Sequence, residues 1–438
     1  MLIADYRSME IPLEGTRRRT VLLPVSFATA AILIFQASEI WLADHRINSG
    51  KLDQMERGAA LVPGNGDAWD LLGRLRQWDF MHPDLSQAIA DYQRAVQDNP
   101  LSADYWMDLA SAYEAVGDDV RAQQAFEHAT AVYPTSAEVA FHYGNFLLRQ
   151  QKYPEAYKEF QQAVRTDRTL LPLAISRTWR ASEDVNQLLN QVLPADVEAY
   201  LQAVDFFGSI HAADPGLAVW QRLLKLGKFV PLENTFPFLD DLIRGDRADD
   251  ARRVWREALA AAGLPHEEPA RQSLIWDGDF QTEFSNGGLG WRWDLGASID
   301  FDSESVPDNS RAVRLDFNGG YNVSLDAPFE YVPVEANHSY HFRAYMRTQE
   351  ITTESGVRFS ITDPNHSNAL NVLTENFTGS RPWTAVDADL VTGAETHFLL
   401  VRLVRYPSRL FDNKLSGTAW IASISLVPTD GATEQPSR

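Results

Sequence analysis

The chain has 438 residues, of which 45% are hydrophobic and 23% charged, an ordinary globular composition long enough for at least two domains. Its 60 Asp and Glu against 39 Lys and Arg leave a net charge of −21, which excludes a nucleic-acid binder relying on clustered cations. There is no cysteine, so disulfides, thiolate metal sites, cysteine nucleophiles and a lipidated N-terminal cysteine are excluded too.

Residues 1–20 carry a net charge of +1, against −22 for the remainder. Residues 21–42 are then almost wholly apolar, from Val21 to Leu42. As a helix this run spans roughly 33 Å, enough for a bilayer core. Arg17, Arg18 and Arg19 precede it, Trp41 sits near its far end, and Glu39 falls at the opposite interface. These flanks predict a single-pass transmembrane signal anchor in an inner membrane. The N-terminus is expected in the cytoplasm and the bulk of the chain in the periplasm or otherwise outside it. A cleaved signal peptide is the alternative, because Ala28-Thr29-Ala30 has the small-x-small form, although inside the apolar run. A faint twin-arginine signal at Arg18-Arg19 and a buried core helix are further alternatives.

Residues 66–168 repeat themselves. Trp106, Leu109, Ala110 and Tyr113 keep a W-x₂-L-[GA]-x₂-Y spacing, followed by Ala122, Phe126, Ala129 and Pro134. Trp69, Leu72, Gly73, Ala88, Tyr92, Ala95 and Pro100 stand one period earlier, and Tyr143, Gly144, Ala156, Phe160 and Ala163 one period later. Ala95, Ala129 and Ala163 are 34 residues apart, as are Tyr92, Phe126 and Phe160. The small residues allow two antiparallel helices to approach closely, and the rings fill the space between neighbours. Pro100 and Pro134 stop the second helix of each pair. Three extra residues around Met81-His82-Pro83 lengthen the first turn.

This pattern resembles the tetratricopeptide repeat family. Beyond residue 170 the motif fades, but segments 184–193, 196–212, 216–226, 235–244 and 247–262 keep a helical pattern, with Gly263 as a C-cap. The expected α-solenoid is a superhelix of five or six hairpins over 52–262. The resemblance implies a protein-binding groove lined by the first helices. Its candidate residues are Asp67, Asp70, Arg74 and Gln77, then Asp104, Met107, Ser111 and Glu114, then Glu138, Phe141, Asn145 and Arg149. A merely solvated surface is the alternative.

Residues 263–273 read as a linker, and 274–427 as short alternating segments divided by Gly, Asn, Asp and Pro. Strands are expected at Val313–Phe317, Ser339–Arg347, Val357–Thr362, Phe398–Arg405 and Ala419–Val427, followed by a flexible tail over 428–438. That makes an all-β antiparallel sandwich or jelly roll. The opening Trp276-Asp277-Gly278-Asp279-Phe280, Gly290-Trp291 and the closing Trp420–Leu426 resemble the galactose-binding-like carbohydrate-binding modules. The resemblance implies a structural calcium, for which Asp277 and Asp279 are the donors present. The usual Glu is Gln281, however, and the usual Asp pair is Ala422-Ser423, so no cofactor is expected. Trp291, Trp383 and Trp420 are expected in the core, with Trp293, Tyr321 and Phe411 on the loops.

Alternation puts Tyr340, Phe342, Ala344 and Met346 on the core face of one strand, with His341, Arg343, Tyr345 and Arg347 opposite. In Phe398–Tyr406, Leu399, Val401 and Leu403 face the core, leaving Arg402 and Tyr406 outside; Arg358 alternates likewise. His341, Arg343, Tyr345, Arg358, Arg402 and Tyr406 are therefore candidates for a polar or anionic glycan, since rings stack on sugar C–H faces and Arg supplies a donor fork. Ordinary cross-strand pairing is the alternative.

The chain has no G-x-S-x-G, H-E-x-x-H, phosphate-loop or G-x-G-x-x-G motif. His338 and His341 face opposite sides of a strand. The expectation is a non-enzymatic, membrane-anchored scaffold that binds a protein through its repeats and a glycan through its sandwich, in cell-envelope or exopolysaccharide assembly. A purely protein–protein scaffold with a structural sandwich is one alternative. A polysaccharide hydrolase, whose carboxylates must converge across a cleft, is another.

Overall fold

The computed structural model describes residues 16–79, 81–264, 273–293, 299–302, 306, 311–366 and 369–429, with backbone alone at 16–19 and 299. Most of the expected N-terminal segment, linker and tail therefore lies outside the described residues. The chain divides into two compact units between Leu170 and Leu171.

The first unit is helical: α1 (Thr16–Ile47), α2 (Leu52–Leu61), α3 (Gly66–Gln77), α4 (Leu85–Asp98), α5 (Ala103–Ala115), α6 (Asp119–Val132), α7 (Ala137–Arg149) and α8 (Tyr153–Thr166). Within α1, Thr20–Ile47 is long and apolar enough to cross a membrane, and none of its most apolar stretch is buried. The helix does not stop at residue 42. It runs on to Ile47, with Ala43 buried and α2 packed back upon it. A Cβ on Gly58 of α2 would lie 2.9 Å from the Ala43 carbonyl oxygen, so the approach needs glycine. The apolar helix thus runs unbroken into its packing contact with α2.

Each later pair follows the small-against-ring rule. A Cβ on Gly73 would stand 2.6 Å from the Tyr92 ring, and one on Gly144 would stand 2.8 Å from Phe160. Ala88, Ala110, Ala122 and Ala156 are fully buried at the equivalent close approaches. Between repeats Phe126 stacks on Tyr143, ring centroids 5.4 Å apart. Asn65, Asp84, Ser102, Asp118 and Ser136 cap α3 to α7, each side chain accepting from the amide three residues on. The lengthened first turn is held by Asp79, which accepts from the Met81 and His82 amides.

The second unit opens with α9 (Leu171–Ser182), α10 (Val185–Gln187) running into a π turn, α11 (Val197–Ser209), α12 (Ala213–Leu224), α13 (Phe236–Arg244) and α14 (Ala248–Ala261). Gly263, at φ +67°, ends α14 as expected. The strands are β1 (Ile299–Asp302), β2 (Ala312–Asn318), β3 (Phe329–Pro333), β4 (Ser339–Ile351), β5 (Arg358–Thr362), β6 (Asn371–Leu373), β7 (Gly379–Val391), β8 (Phe398–Val404) and β9 (Ser416–Pro428). They pair antiparallel as β1-β2-β9-β4-β7 and β3-β8-β5-β6. The two sheets enclose one core in which Phe342 of β4 meets Phe359 of β5 edge-on at 5.1 Å.

Tyr340, Phe342, Ala344 and Met346 lie in that core, as does Trp291. Trp420 does not. It is buried on the outward side of β9, with Ala312, Ala422, Val306 and Trp383, because Ala419 and Ile421 take the inward positions. Trp420 is thus a core residue as expected, with Trp383 packed partly on it, but the core is a second, smaller one outside the five-stranded sheet. Trp293 packs partly on the core, while Tyr321 and Phe411 are exposed loop residues.

The last two helices hold the sandwich directly. Gly287 and Gly288 lie against Phe236 and Trp255, too close for a Cβ. Arg292 pairs with Asp240 at 2.5 Å, Asn365 donates to the Ile243 carbonyl at 3.1 Å, and His397 meets Asp246 at 2.6 Å. The bond to Asp246 raises the His397 pKa.

The ring contacts predict that Gly73→Ala lowers the stability of the α3–α4 pair by about 1–3 kcal/mol, since Tyr92 must move. Gly64→Ala, whose Cβ would meet nothing, is expected to have little effect. Hydrogen exchange of the α3 and α4 amides distinguishes the two.

Candidate functional site

The first helices α3, α5 and α7 share one face, on which the repeat period reappears as bonds between helices. Arg74 Nε donates to Asp108 Oδ2 at 2.6 Å, and Gln77 Nε2 donates to Ser111 Oγ at 3.0 Å, each across 34 residues. Arg149 Nη2 donates to Glu114 Oε2 at 2.7 Å, across 35. The Tyr105 hydroxyl of α5 donates to Asp67 of α3. These bonds bring Asp67, Arg74, Gln77, Ser111, Glu114 and Arg149 into one ladder.

The other candidates are placed differently. Asp104 and Glu138 are exposed, while Met107, Phe141 and Asn145 are half-buried. Phe141 packs on Phe160 with centroids 5.4 Å apart, and its carbonyl accepts from Asn145. Asp70 is only 5% exposed. Its Oδ2 pairs with Arg74 Nε at 3.0 Å, and its Oδ1 has no donor. Burial, then the charge of Asp108, pushes its pKa up to about 7 despite Arg74. Asp108 is the member that motif reading passed over. Its signal was the 34-residue step from Arg74.

A raised carboxyl pKa favours the protonated folded state. Its stabilising effect is complete below the ordinary value of 3.8 and is lost as pH rises through about 7. Asp70→Asn, which mimics the neutral acid, is expected to protect α3 and α5 at pH 8 by on the order of 2 kcal/mol. At pH 4 it is expected to change little. Hydrogen exchange corrected for its intrinsic pH dependence reads the difference; equal shifts at both pH values contradict it.

The six sandwich candidates do not share one face. His341, Arg343 and Tyr345 lie on the outward side of β4, in the five-stranded sheet. Arg358 and Arg402 lie on β5 and β8, in the four-stranded sheet, with Tyr406 just past the end of β8. On the first face His341 and Arg343 already have carboxylate partners. His341 meets Asp389 at 2.7 Å and Asp387 at 3.1 Å, and Arg343 Nε donates to Asp387 at 2.6 Å. That bond from Arg343 holds the Asp387 carboxyl below its usual range.

Calcium does not fit the two donors proposed for it. Asp277 Oδ1 accepts from the Gln281 amide at 2.7 Å, and Oδ2 accepts from the Thr282 amide and hydroxyl at 2.9 and 2.6 Å. The Asp277 carboxylate closes its own turn. Asp279 is exposed, and among the described residues no group of three or more His, Asp or Glu is placed to hold a metal ion. Nearby, sequence reading missed Glu330, a fully buried residue of β3 whose Oε1 accepts from the Trp276 amide at 2.7 Å. Burial lifts its carboxyl well above the ordinary range, against the opposing bond from the Trp276 amide.

A family model described as tetratricopeptide repeat matches residues 103–146, which span α5, α6 and most of α7. No curated protein matches the chain. Among solved structures, the crystal structure of MamA is similar at 15% identity and a TM-score of 0.27, covering 42% of this chain and 93% of that one. The first TPR of Spaghetti (RPAP3), bound to the HSP90 peptide SRMEEVD, is similar at 17% identity and a TM-score of 0.25. It covers 27% of this chain and 90% of that one.

Proposed function

We propose that the chain is a non-catalytic scaffold that holds a protein partner on the α3, α5 and α7 face of its repeats. In this reading α1 anchors it in a bacterial-type inner membrane, with the bulk of the chain in the periplasm. The sandwich, akin to the galactose-binding-like carbohydrate-binding modules, touches a glycan. Such a combination suits cell-envelope or exopolysaccharide assembly.

The observation that carries the protein-binding half is the ladder of side chains between first helices. Those bonds order one face in advance, so a partner loses less conformational freedom in binding there. Stacked repeats present extended surfaces of this kind. A purely protein-binding role with a structural sandwich is favoured by the β4 face, where Asp387 and Asp389 already occupy Arg343 and His341.

Phe141→Ala removes a half-buried ring from the face, and Arg149→Glu sets a carboxylate against Glu114. Each is expected to weaken partner capture by the full chain at least tenfold, with far-UV circular dichroism unchanged. Capture undiminished in both variants contradicts the assignment of this face.

A further inference from the structure

We propose that Arg358 and Arg402 form an oxyanion subsite on the outward face of the four-stranded sheet, taking the carboxylate or sulfate of an acidic saccharide. That the ligand is a saccharide rests on the glycan half of the proposed function; that it is an oxyanion rests on the two side chains.

Core-facing Phe359, Ile361, Val401 and Leu403 turn Arg358 and Arg402 outward. Arg402 stands opposite Ser360, and Arg358 opposite Val404. The two arginines are thus diagonal cross-strand neighbours, with Cα atoms roughly 7–8 Å apart. Both are half-buried, and the Nε of each is buried without a hydrogen-bond partner. Among the described residues no carboxylate lies in ion-pair range of either guanidinium.

Every other arginine on the strands has a partner. Arg314 pairs with Asp316, Arg343 with Asp387 and Arg381 with Glu375, while Arg347 lies over the Trp420 ring at 4.5 Å. In a chain with a net charge of −21, two adjacent guanidiniums without a carboxylate are the exception. Side by side they repel, and each buried Nε lacks the acceptor it had in water. A single oxyanion between them relieves the repulsion, and carboxylate or sulfate matches the planar donor fork.

The neighbours favour a saccharide as the bearer of that group. Phe329 stands opposite Arg402 on β3, two residues from Tyr331, and the two rings meet edge-on at 5.9 Å. Arg292 already lies over Tyr331 at 5.1 Å, which leaves Phe329 as the ring beside the subsite. A half-buried aromatic edge next to a cation pair suits the C–H face of an acidic sugar.

The test uses the full chain in detergent micelles with polygalacturonate, dextran sulfate and neutral dextran as probes at 50 mM salt. An acidic polymer is expected to bind at least tenfold more tightly than dextran, and whichever of the two binds identifies the source of the oxyanion. Arg358→Gln with Arg402→Gln removes no hydrogen bond or ion pair among the described residues and is expected to fold normally, yet to weaken that binding tenfold or more. Arg314→Gln with Arg343→Gln makes the same charge change on the opposite sheet and is expected to stay within twofold. Dextran bound as well as the acidic polymers, with no loss in the first pair, would sink the subsite while sparing the glycan reading. Equal losses in both pairs reduce the effect to net charge and overturn it. Binding of none of the three polymers overturns the subsite and the glycan reading together.

Discussion

An aromatic ring laid against a residue with little or no Cβ is the contact on which the repeats depend. Gly73 against Tyr92 and Gly144 against Phe160 bring the two helices of a pair to contact distance. Once that distance is set, the same side of each first helix must face the same way. The 34-residue step then carries Arg74 to Asp108 and Gln77 to Ser111 without further design. A packing rule in the core thereby orders a polar surface outside it. Gly58 makes a close approach of another kind, to the Ala43 carbonyl and the Ile47 side chain of α1, so the apolar helix is joined to the repeats by packing as well as by the chain.

In the sandwich the equivalent constraint is alternation, which sorts the core from two outward faces with different electrostatics. On the five-stranded sheet, β7 places Asp387 and Asp389 opposite Arg343 and His341, so both side chains already have carboxylate partners. On the four-stranded sheet, the cross-strand partners of Arg402 are Phe329 and Ser360, which carry no charge. The difference lies in which strands are neighbours rather than in composition. Buried polar groups elsewhere are resolved locally. Arg405 spends its donors on the Ser355 and Asn413 carbonyls and on Asn322 and Thr353, tying three loops together. Glu330, fully buried, accepts from the Trp276 amide, and burial raises its pKa.

The repeats were legible because each close approach leaves a small residue and a ring at fixed spacing. The inward faces of β4 and β8 were legible for the same reason, since period-two alternation marks burial directly. β7 was not, although it is 13 residues long. It is the outer strand of its sheet, where Pro382, Asp387 and Asp389 are tolerated and make the segment look like a loop. Sheet order cannot be read from strand patterns alone. That is why six glycan candidates, each correctly turned outward, divide between two faces. It is also why the smaller core around Trp420, outside the five-stranded sheet, could not be told from the one between the sheets. Asp108 escaped notice because it occupies no motif position; only its distance of one period from Arg74 marked it.

The central claim is that a protein partner sits on the face shared by α3, α5 and α7. The absence of cysteine permits a direct measurement, because a single introduced cysteine carries a photo-crosslinker without competition. Asp104→Cys places it on that face, and Glu127→Cys places it on exposed α6. The account predicts that the Asp104 position crosslinks the partner and the Glu127 position does not. Crosslinks of equal yield from both, or from Glu127 alone, would contradict it.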